Sequence, residues 1–463
     1  MIVGDTIAAV STPRGKGGVA LLRVSGPEAF SVCEKVFRPK NGKRPEELAA
    51  RTAIYGSILT PTPEGEWVVT DDGLLTLFRA PASFTGEDTA EICCHGGILL
   101  TETVLSALIA AGARAAEAGE FTRRAFLNGK LGLSSAEALA NLLEAQTGSQ
   151  LMLAHAGTDG LLEKKSRSIY EKLREVLASI YAVIDYPEED LAEMSREQTE
   201  TALQSVCDEL ETLAGTYRAG HAVAEGISTV LCGRPNVGKS SLYNRLVGRD
   251  AAIVTSTEGT TRDVLCETVA LGKVTLRLSD TAGLRGCTDP VERIGVDRAR
   301  RAMESAELIL AVFDGSEPLR EEDRSLIAEL RKGSCPVIAV VNKSDRGSGS
   351  APEIEKAFRN TVRVSADRGD GMQTLQDCVE ALFLNGEIDF RRDAVLTNAR
   401  QNGATLSALE SVRQALHGLR RGLPEDIFCT DAEHAMQAIA ELDGRSVSED
   451  IVTEIFSHFC VGK

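Results

Sequence analysis

Eight consecutive residues have the types and spacing of a phosphate-binding loop. The run Gly233-Arg234-Pro235-Asn236-Val237-Gly238-Lys239-Ser240 fits the pattern GxxxxGK[ST] and follows the apolar run Thr229–Cys232. In such a loop, backbone amides and the N-terminus of the next helix surround phosphate oxygens, Lys239 adds a positive charge, and Ser240 offers its hydroxyl to Mg²⁺. The pattern predicts a nucleoside triphosphate site formed by Asn236, Val237, Gly238, Lys239, Ser240 and Ser241.

Three further motifs predict that the nucleotide is GTP. Asp280-Thr281-Ala282-Gly283 supplies an acid near the metal ion and an amide for the γ-phosphate. Asn342-Lys343-Ser344-Asp345 fits NKxD, in which a carboxylate accepts hydrogen bonds from guanine N1 and N2 that adenine cannot donate. Ser365-Ala366 fits the loop that contacts guanine O6. Because the four motifs occur in the right order at the ends of predicted strands, we expect GTP binding.

The sequence also predicts that hydrolysis uses a different group from that of Ras-like enzymes. Those enzymes place a Gln after DxxG to orient the attacking water, and here that position is Leu284. An apolar side chain cannot polarise water, so the catalytic group must come from elsewhere. The nearby candidates are Arg262, Arg285, Glu292 and Arg293.

Two polar residues are candidates for cation sites. Thr261 is the natural switch threonine for Mg²⁺, together with Ser240. Asn236 carries a side-chain oxygen inside the phosphate loop, where it could hold a monovalent cation against the phosphates in place of an arginine finger. Asn is also a common turn residue, and spacing alone leaves both interpretations open.

The surrounding pattern predicts the elements that position these motifs. Short β-like runs, Ile7–Val10, Val19–Val24 and Leu74–Phe78, mark the N-terminal region. Between about residues 226 and 383, the apolar runs Thr229–Cys232, Thr275–Leu278, Leu308–Phe313 and Val337–Val341 alternate with polar segments, as buried parallel strands do. Helical patterns flank this region, including Ala404–Arg420 and capping boxes that begin at Ser134, Thr430 and Ser446.

We therefore predict a multidomain protein of the α/β plus all-α class. An N-terminal α+β domain would span residues 1–118, and a Ras-like P-loop GTPase domain would span 223–383. The GTPase domain would be inserted into a helical domain whose two parts span 119–222 and 384–463.

The length and composition of the chain limit the classes of protein to which it can belong. The chain has 463 residues, about three domains at roughly 150 residues each. Its formal net charge of −17 argues against coating nucleic acid by global attraction, so any RNA contact must use local basic patches or a partner. We expect no membrane span and no secretion signal. The 11 scattered cysteines are typical of reduced thiols, and we predict a cytoplasmic protein.

Several additional motifs occur together in this chain. They are Ser83–Asp88 followed by His95-Gly96-Gly97, Gly119–Lys130, Gly259–Asp263, Asp280–Arg285 with Val291–Gly295, and the terminal Phe459–Lys463. With these motifs the chain resembles, over essentially its whole length, the tRNA-modification GTPases of the MnmE family, also called TrmE.

For the N-terminal domain, the resemblance implies a folate-binding-like fold that dimerises and binds 5-formyltetrahydrofolate or a related folate. Arg23, Glu91 and Lys130 match the folate-contacting positions of the family, and Lys463 is expected near the same site. Cys460 in the terminal Cys460-Val461-Gly462-Lys463 would by default belong to a frayed end, and the resemblance raises it to a candidate catalytic thiol.

For the G domain, the resemblance implies potassium-dependent dimerisation across the nucleotides. Asn236, Thr255, Thr257 and Thr260 match the potassium loop, and Glu292 matches the acid that orients the attacking water through a second water. The GTP-binding set then includes Thr255, Ser256, Thr257, Glu258, Gly259, Thr260 and Thr261. Asp367 stands where the family often has Lys, and we expect at most a modest effect on affinity.

The resemblance also implies a partner and a reaction. With an FAD-containing MnmG-type partner, in a heterotetramer, family members install a 5-carboxymethylaminomethyl or aminomethyl group on the wobble uridine, U34, of certain tRNAs, using a folate one-carbon unit. One alternative is a switch-type GTPase of ribosome assembly without modification chemistry. Such proteins typically carry a second G domain or a basic RNA-binding domain, and this sequence shows neither. A second alternative is a folate-dependent enzyme with a regulatory G domain and no nucleic acid.

Two other groups have plain structural interpretations. Cys93 and Cys94 are adjacent in a predicted strand, so they point to opposite faces and we expect core packing, not metal binding. Arg123-Arg124 lies in a helical segment, where we expect solvated side chains.

Overall fold

The computed structural model describes residues 4–44, 47–185, 194–249, 266–279, 303, 305–347, 349–384, 388–457 and 459–462. Contacts divide the chain into two compact units. The first combines residues 1–140 with 443–463, and the second comprises residues 141–442. The C-terminal segment therefore belongs to the same unit as the N-terminal residues.

The first unit is built on a seven-stranded sheet in the order β3-β4-β5-β6-β2-β1-β7. The strands are β1 Ile7–Val10, β2 Val19–Ser25, β3 Phe37–Pro39, β4 Ile54–Pro61, β5 Trp67–Phe78, β6 Thr89–His95 and β7 Arg114–Ala115. All neighbours pair antiparallel except β1 with β7. The three predicted runs in this region all lie within these strands.

Helices complete the core of the first unit. They are α1 Ala29–Val36, α2 Ile98–Ala110, α3 Glu120–Leu127, α4 Leu133–Glu144 and, from the end of the chain, α15 Glu449–Ser457. The main core joins α1 and α2 to one face of the sheet through side chains such as Leu22, Ile92 and Leu108. A separate cluster joins Leu133 of α4 to Phe456 and Phe459, which fixes the C-terminal segment to this unit.

The second unit contains a six-stranded sheet in the order β13-β12-β11-β8-β10-β9. Its strands are β8 Ile227–Cys232, β9 Cys266–Leu271, β10 Val274–Ser279, β11 Leu308–Asp314, β12 Val337–Asn342 and β13 Thr361–Arg363. Neighbours pair parallel except β9 with β10. The four predicted apolar runs fall within β8, β10, β11 and β12, because strands covered on both faces need apolar residues throughout.

The helices of the second unit form two groups. Those beside the sheet are α8 Tyr217–Ala224, α9 Lys239–Arg249, α10 Glu321–Leu330, α11 Ala351–Ala357 and α12 Met372–Phe383. The others are α5 Gly148–Thr158, α6 Leu161–Asp185, α7 Arg196–Gly215, α13 Ala399–Arg421 and α14 Glu425–Asp443. A core of side chains from α6, α7, α13 and α14 holds the long helices together although the sheet lies between them in sequence. The α/β and all-α parts predicted from sequence are both present, whereas the exact domain limits remain predictions.

All three capping boxes misplace the start of a helix. Thr430 lies inside α14, which begins at Glu425 because Pro424 presets the backbone of the first turn and Phe428 needs helical spacing to reach the core. Ser134 lies inside α4, whose first residue, Leu133, is fully buried. The helix predicted from Ser446 begins only at Glu449. Burial of apolar residues therefore outweighs the local capping preference.

Candidate functional site

The phosphate loop connects β8 to α9 and has backbone angles that its sequence explains. Asn236 has a φ of 64° and Gly238 a φ of 97°, both in the left-handed region. Val237 between them is fully buried and anchors the loop in the core. The Nζ atom of Lys239 donates hydrogen bonds to the carbonyls of Gly233 at 2.8 Å and Arg234 at 2.9 Å, and burial lowers its pKa. The loop thus gathers a half-buried cation and a turn of backbone at the start of a helix, which suits a polyphosphate.

Asn342 joins the phosphate loop to the guanine motifs. Its Nδ2 donates to the carbonyl of Val237 at 3.0 Å, and its Oδ1 accepts from the amide of Ala366 at 3.0 Å. Lys343 makes a parallel link, because its Nζ donates to the carbonyl of Asn236 at 3.0 Å. The sequence predicts these residues as separate motifs, and the structure brings them into one site.

The guanine-recognition residues lie next to this junction. A hydrogen bond from Ser365 lowers the pKa of Asp345, and the positive charges of Arg368 and Arg346 add to that effect. Ser365 and Ala366 are both buried, so their loop is fixed against the core. An anionic carboxylate beside ordered backbone amides fits the edge of guanine.

The sequence did not reveal a group of charged residues that form ion pairs with the phosphate loop and with the NKxD motif. Asp314 ends β11, is 5% exposed and accepts a 2.6 Å ion pair from Lys343. Arg234, within the loop itself, contacts Asp323 and Glu317 at 3.2 Å each. Asp314 carried a usable signal, since a carboxylate that ends a buried parallel strand lies at the edge where ligands bind.

Arg245 was also missed. It lies on α9, and its Nε donates to the carbonyl of Ala366 at 2.8 Å while its guanidinium also reaches the carbonyl of Asp367. The helix that begins at the phosphate loop thereby holds the guanine loop, a contact that no local pattern indicates.

A large part of the predicted site lies outside the described residues. This applies to the loop of Thr255, Ser256, Thr257, Glu258, Gly259, Thr260 and Thr261, to the motif Asp280, Thr281, Ala282 and Gly283, and to Leu284, Arg285, Arg262, Glu292, Arg293 and Lys463. Their assignments as nucleotide, Mg²⁺, potassium, catalytic or folate residues stay predictions. Of the Mg²⁺ and potassium ligands, only Ser240 and Asn236 are described, and both are exposed at the loop.

In the first unit, Arg23 and Glu91 form one paired group. They face each other on β2 and β6, and the guanidinium of Arg23 donates to Glu91 Oε1 from Nε at 3.0 Å and from Nη2 at 2.6 Å. The same guanidinium lies 5.5 Å from the ring centre of Phe84 and 5.7 Å from that of Phe121. Phe121 is fully buried behind Arg23, whereas Phe84 is exposed and the Arg23–Glu91 pair is partly exposed, so these three residues could contact a flat, polar heterocycle with an acidic group, such as a folate.

Lys130 lies at the loop that carries Phe84. Its Nζ donates to the carbonyl of Pro81 at 2.9 Å, and the side chain passes close to Gly86. Both Lys130 and Arg23 therefore contact residues of the segment 81–86, although no direct contact joins them to each other. The two phenylalanines were missed because aromatic residues in a loop and a helix predict core packing equally well.

The expectation for Arg124 was wrong. Its side chain is buried and ion-pairs with Asp5 at 2.5 Å, Glu120 at 3.0 Å and Glu87 at 3.1 Å. Burial alone would raise the pKa of Glu120, but hydrogen bonds from Arg114, the Glu117 amide and Arg124 lower it. Asp5 and Glu87 from distant segments, together with Glu120 on the same helix, replace the water that a solvated arginine would have, and Glu87 fixes α3 to the loop that bears Phe84.

The cysteine pair has the predicted structural role. On β6, Cys94 is 2% exposed in the core and burial raises its pKa to about 11, while Cys93 is half-buried on the opposite face. Among the described residues, no group of His, Cys, Asp and Glu side chains is arranged to hold a metal ion.

The C-terminal tail is docked in the structure, contrary to the default of a frayed end. Val461 forms an antiparallel bridge with Ala118, the amide of Gly119 lies 3.4 Å from the Cys460 carbonyl, and Ser11 Oγ donates to the Gly462 carbonyl at 3.0 Å. Cys460 is exposed, unlike the other cysteines whose burial is described.

No helix of the described chain is long and apolar enough to cross a membrane.

A phosphate loop tied to a guanine motif on a mainly parallel sheet defines a P-loop GTPase with a Ras-like domain. Comparison with known proteins extends this result to the whole chain. The family described as "GTP-binding protein TrmE N-terminus" matches residues 6–130, and the family described as "MnmE helical domain" matches residues 133–460.

Individual relatives agree with these matches. A protein of Symbiobacterium thermophilum named tRNA modification GTPase MnmE is 42% identical, with 99% of each chain covered. A protein of Clostridioides difficile with the same name is 38% identical, with 100% of each chain covered. Among solved structures, Era in complex with MgGDPNP and part of 16S ribosomal RNA is 26% identical at a TM-score of 0.28, covering 40% of this chain and 66% of Era.

The chain belongs to the MnmE family of tRNA modification GTPases. It is a GTP hydrolase that acts in tRNA modification, and this identity implies that it binds GTP and Mg²⁺.

Proposed function

We propose that this GTPase works with an FAD-containing MnmG-type partner to form the 5-carboxymethylaminomethyl or aminomethyl group on U34 of certain tRNAs. The observation that carries the proposal is the full-length match to MnmE proteins, which includes the N-terminal region as well as the GTPase region. A folate would supply the one-carbon unit, and the partner's flavin would supply redox chemistry. In this proposal the chain forms a homodimer within a heterotetramer and acts in the cytoplasm.

In the proposed GTPase cycle, Lys239 and the loop amides hold the phosphates while Asp345 and Ala366 select guanine. Ser240 and Thr261 would hold Mg²⁺, and Asn236, Thr255, Thr257 and Thr260 would hold K⁺ between the dimerised G domains. Glu292 would orient the attacking water. The left-handed backbone of Asn236 supports this role only in part, because a turn residue would adopt the same angle.

In the proposed modification site, Arg23, Glu91, Lys130 and Lys463 bind the folate and Cys460 serves the chemistry. The Arg23–Glu91 pair beside two aromatic rings supports folate binding, and the exposure of Cys460 on a docked tail supports a reactive thiol. The proposed domains are an N-terminal domain at 1–118, a G domain at 223–383, and a helical domain formed by 119–222 and 384–463.

Analysis of tRNA from cells that lack the protein tests the proposed function. We expect U34 of the target tRNAs to lose its C5 substituent and to regain it when the wild-type gene is restored. The Glu292→Ala variant should fail to restore it, with GTP affinity within about threefold of wild type and kcat lowered roughly 10²-fold. A deletion strain whose U34 carries the same C5 substituent as the parent strain would contradict the proposal.

A further inference from the structure

Two glycines lie where the C-terminal tail meets the rest of the first unit. Gly119, directly before α3, has a φ of 65°, and Gly462, in the tail, has a φ of 94°. Both values lie in the left-handed region, where residues with a Cβ are strained. The backbone at both contact points therefore favours glycine.

The space around these glycines is equally restrictive. A Cβ added at Gly119 would lie 2.3 Å from the carbonyl oxygen of Phe456 and 3.0 Å from the Cβ of Phe459. A Cβ added at Gly462 would lie 2.5 Å from the carbonyl oxygen of Val10. In each case the obstacle is backbone, which cannot rotate aside as a side chain would. At these two points the backbone segments approach each other so closely that a side chain on either glycine would clash.

Hydrogen bonds and apolar contacts complete this arrangement. Phe456 and Phe459 are buried immediately before the tail, and Ser11 Oγ holds the Gly462 carbonyl at its far side. Between these anchors, Cys460 is exposed. We call Ser11, Gly119 and Gly462 the tail seat.

The tail seat adjoins α3, a helix that lies next to Arg23 of β2. Gly119 precedes α3, and Phe121 on α3 lies 5.7 Å from the guanidinium of Arg23. The tail seat and Arg23 therefore both adjoin α3.

We propose that Ser11, Gly119 and Gly462 are positioning residues that fix the tail so that Cys460 is held in a defined place at the start of α3, the helix whose Phe121 lies beside Arg23. This inference rests on the proposed role of Cys460 in tRNA modification. Docking of the tail at this seat can be measured independently of modification activity.

Hydrogen exchange on the full-length protein measures the docking. Gly462→Ala and Gly119→Ala should each speed amide exchange in residues 459–462 about tenfold or more, as expected for strain of this size. Gly65→Ala is the matched control, because Gly65 lies in the same unit with a φ of 88° and has no atom within 4 Å of its added Cβ. Unchanged exchange in both seat variants would overturn the inference.

Restoration of U34 modification in the deletion strain measures the consequence. Gly462→Ala should lower modification at least about tenfold, with K⁺-stimulated GTP hydrolysis of the purified variant near wild type. Ser11→Ala should give a partial loss, and Ser11→Thr, which keeps the hydroxyl, should restore both slow exchange and modification. Faster exchange combined with normal modification would overturn the positioning role.

Deletion of Cys460–Lys463 separates the two proposals. If the truncated protein modifies U34 normally, the proposed chemical role of Cys460 is wrong, and the positioning role falls with it. The exchange measurement still decides whether the seat exists. If truncation abolishes modification while Gly462→Ala does not, the chemical role stands and the seat is not needed for it.

Discussion

At the scale of single residues, base selection depends on the charge of one carboxylate. Asp345 is kept anionic by Ser365, Arg368 and Arg346, which lower its pKa. Guanine offers two donors to this group, whereas xanthine presents an acceptor at the corresponding edge.

Replacing Asp345 by Asn should therefore weaken GTP binding about 10- to 100-fold, the range for a hydrogen bond to a charged group, and favour XTP. Titration of fluorescent GTP and XTP analogues measures both affinities. Asp377→Asn on α12 is the control, because that carboxylate only accepts a hydrogen bond from Gln373 at the surface. GTP and XTP affinities that both stay at their wild-type values in the Asp345 variant would show that the NKxD assignment is wrong.

A second residue-scale prediction concerns Gly238. A Cβ at this position would lie 2.1 Å from Asn342 Nδ2, and its φ of 97° disfavours any side chain. Gly238→Ala should break the link between the phosphate loop and the guanine motif and lower GTP affinity by about 10²-fold or more. Gly248→Ala, near the end of α9 with open space around its added Cβ, should bind GTP normally. Calorimetric titration distinguishes the two outcomes.

At the scale of elements, α3 is fixed to the N-terminal sheet by buried charge. Removing Arg124 leaves Asp5, Glu87 and Glu120 without their shared partner. Arg124→Met should destabilise the first unit by roughly 3–5 kcal/mol, the cost of breaking a buried ion pair. Arg44→Met removes an exposed pair with Glu34 and should cost about 0–1 kcal/mol. Urea unfolding followed by hydrogen exchange of residues in β1 and α3 measures the difference.

The same ion pairs make the stability of the first unit decrease at acidic pH. The pKa values of Asp5 and Glu120 are lowered in the folded state, because arginine hydrogen bonds more than offset their burial. Stability from these groups is therefore complete above their unfolded pKa values and is lost as the pH falls through the lower, folded values.

His221 on α8 makes the stability of the second unit depend on pH in the opposite direction. His221 Nε2 contacts Glu307 at 3.0 Å, and this hydrogen bond raises its pKa, as does the charge of Glu225, while burial and Arg277 oppose the shift. Its contribution is complete below the unfolded pKa and is lost as the pH rises through the folded one.

His221→Gln should therefore lower the unfolding temperature at pH 6 and have a smaller effect at pH 9. The loss at pH 6 should correspond to about 1.5–3 kcal/mol, the range for a charged hydrogen bond. His155→Gln, at an exposed histidine, should change neither value. Scanning calorimetry at the two pH values provides the measurement, and a pH-independent difference would contradict the assignment.

At the scale of the whole molecule, we expect hydrolysis to depend on G-domain dimerisation with K⁺. Turnover should be much faster in KCl than in NaCl at equal ionic strength, and the nucleotide-bound dimer should be favoured only in KCl. Asn236→Ala should remove the difference, whereas Asn244→Ala, exposed on α9, should keep it. Kinetics and sedimentation in the two salts test this, and equal rates would refute the role of K⁺.

Two of the GTPase motifs and the strands that precede them can be predicted from the sequence alone. The motifs at 233–240 and 342–345 are contiguous, and each follows an apolar run that is buried in the sheet, so local pattern and local chemistry coincide. Helix starts were less predictable, because a capping box describes one turn whereas burial of Leu133 or Phe428 is decided by the core.

Contacts between distant segments became apparent in the folded structure and not in the sequence. Arg124 is buried because Asp5 and Glu87 from distant segments meet around it, and the tail is docked because Gly119 and Gly462 admit backbone from Phe456 and Val10. Asn342 likewise reaches Val237, 105 positions away. Whether a polar group is solvated or buried depends on which remote partners satisfy its hydrogen bonds, and no local pattern of residue types contains that information.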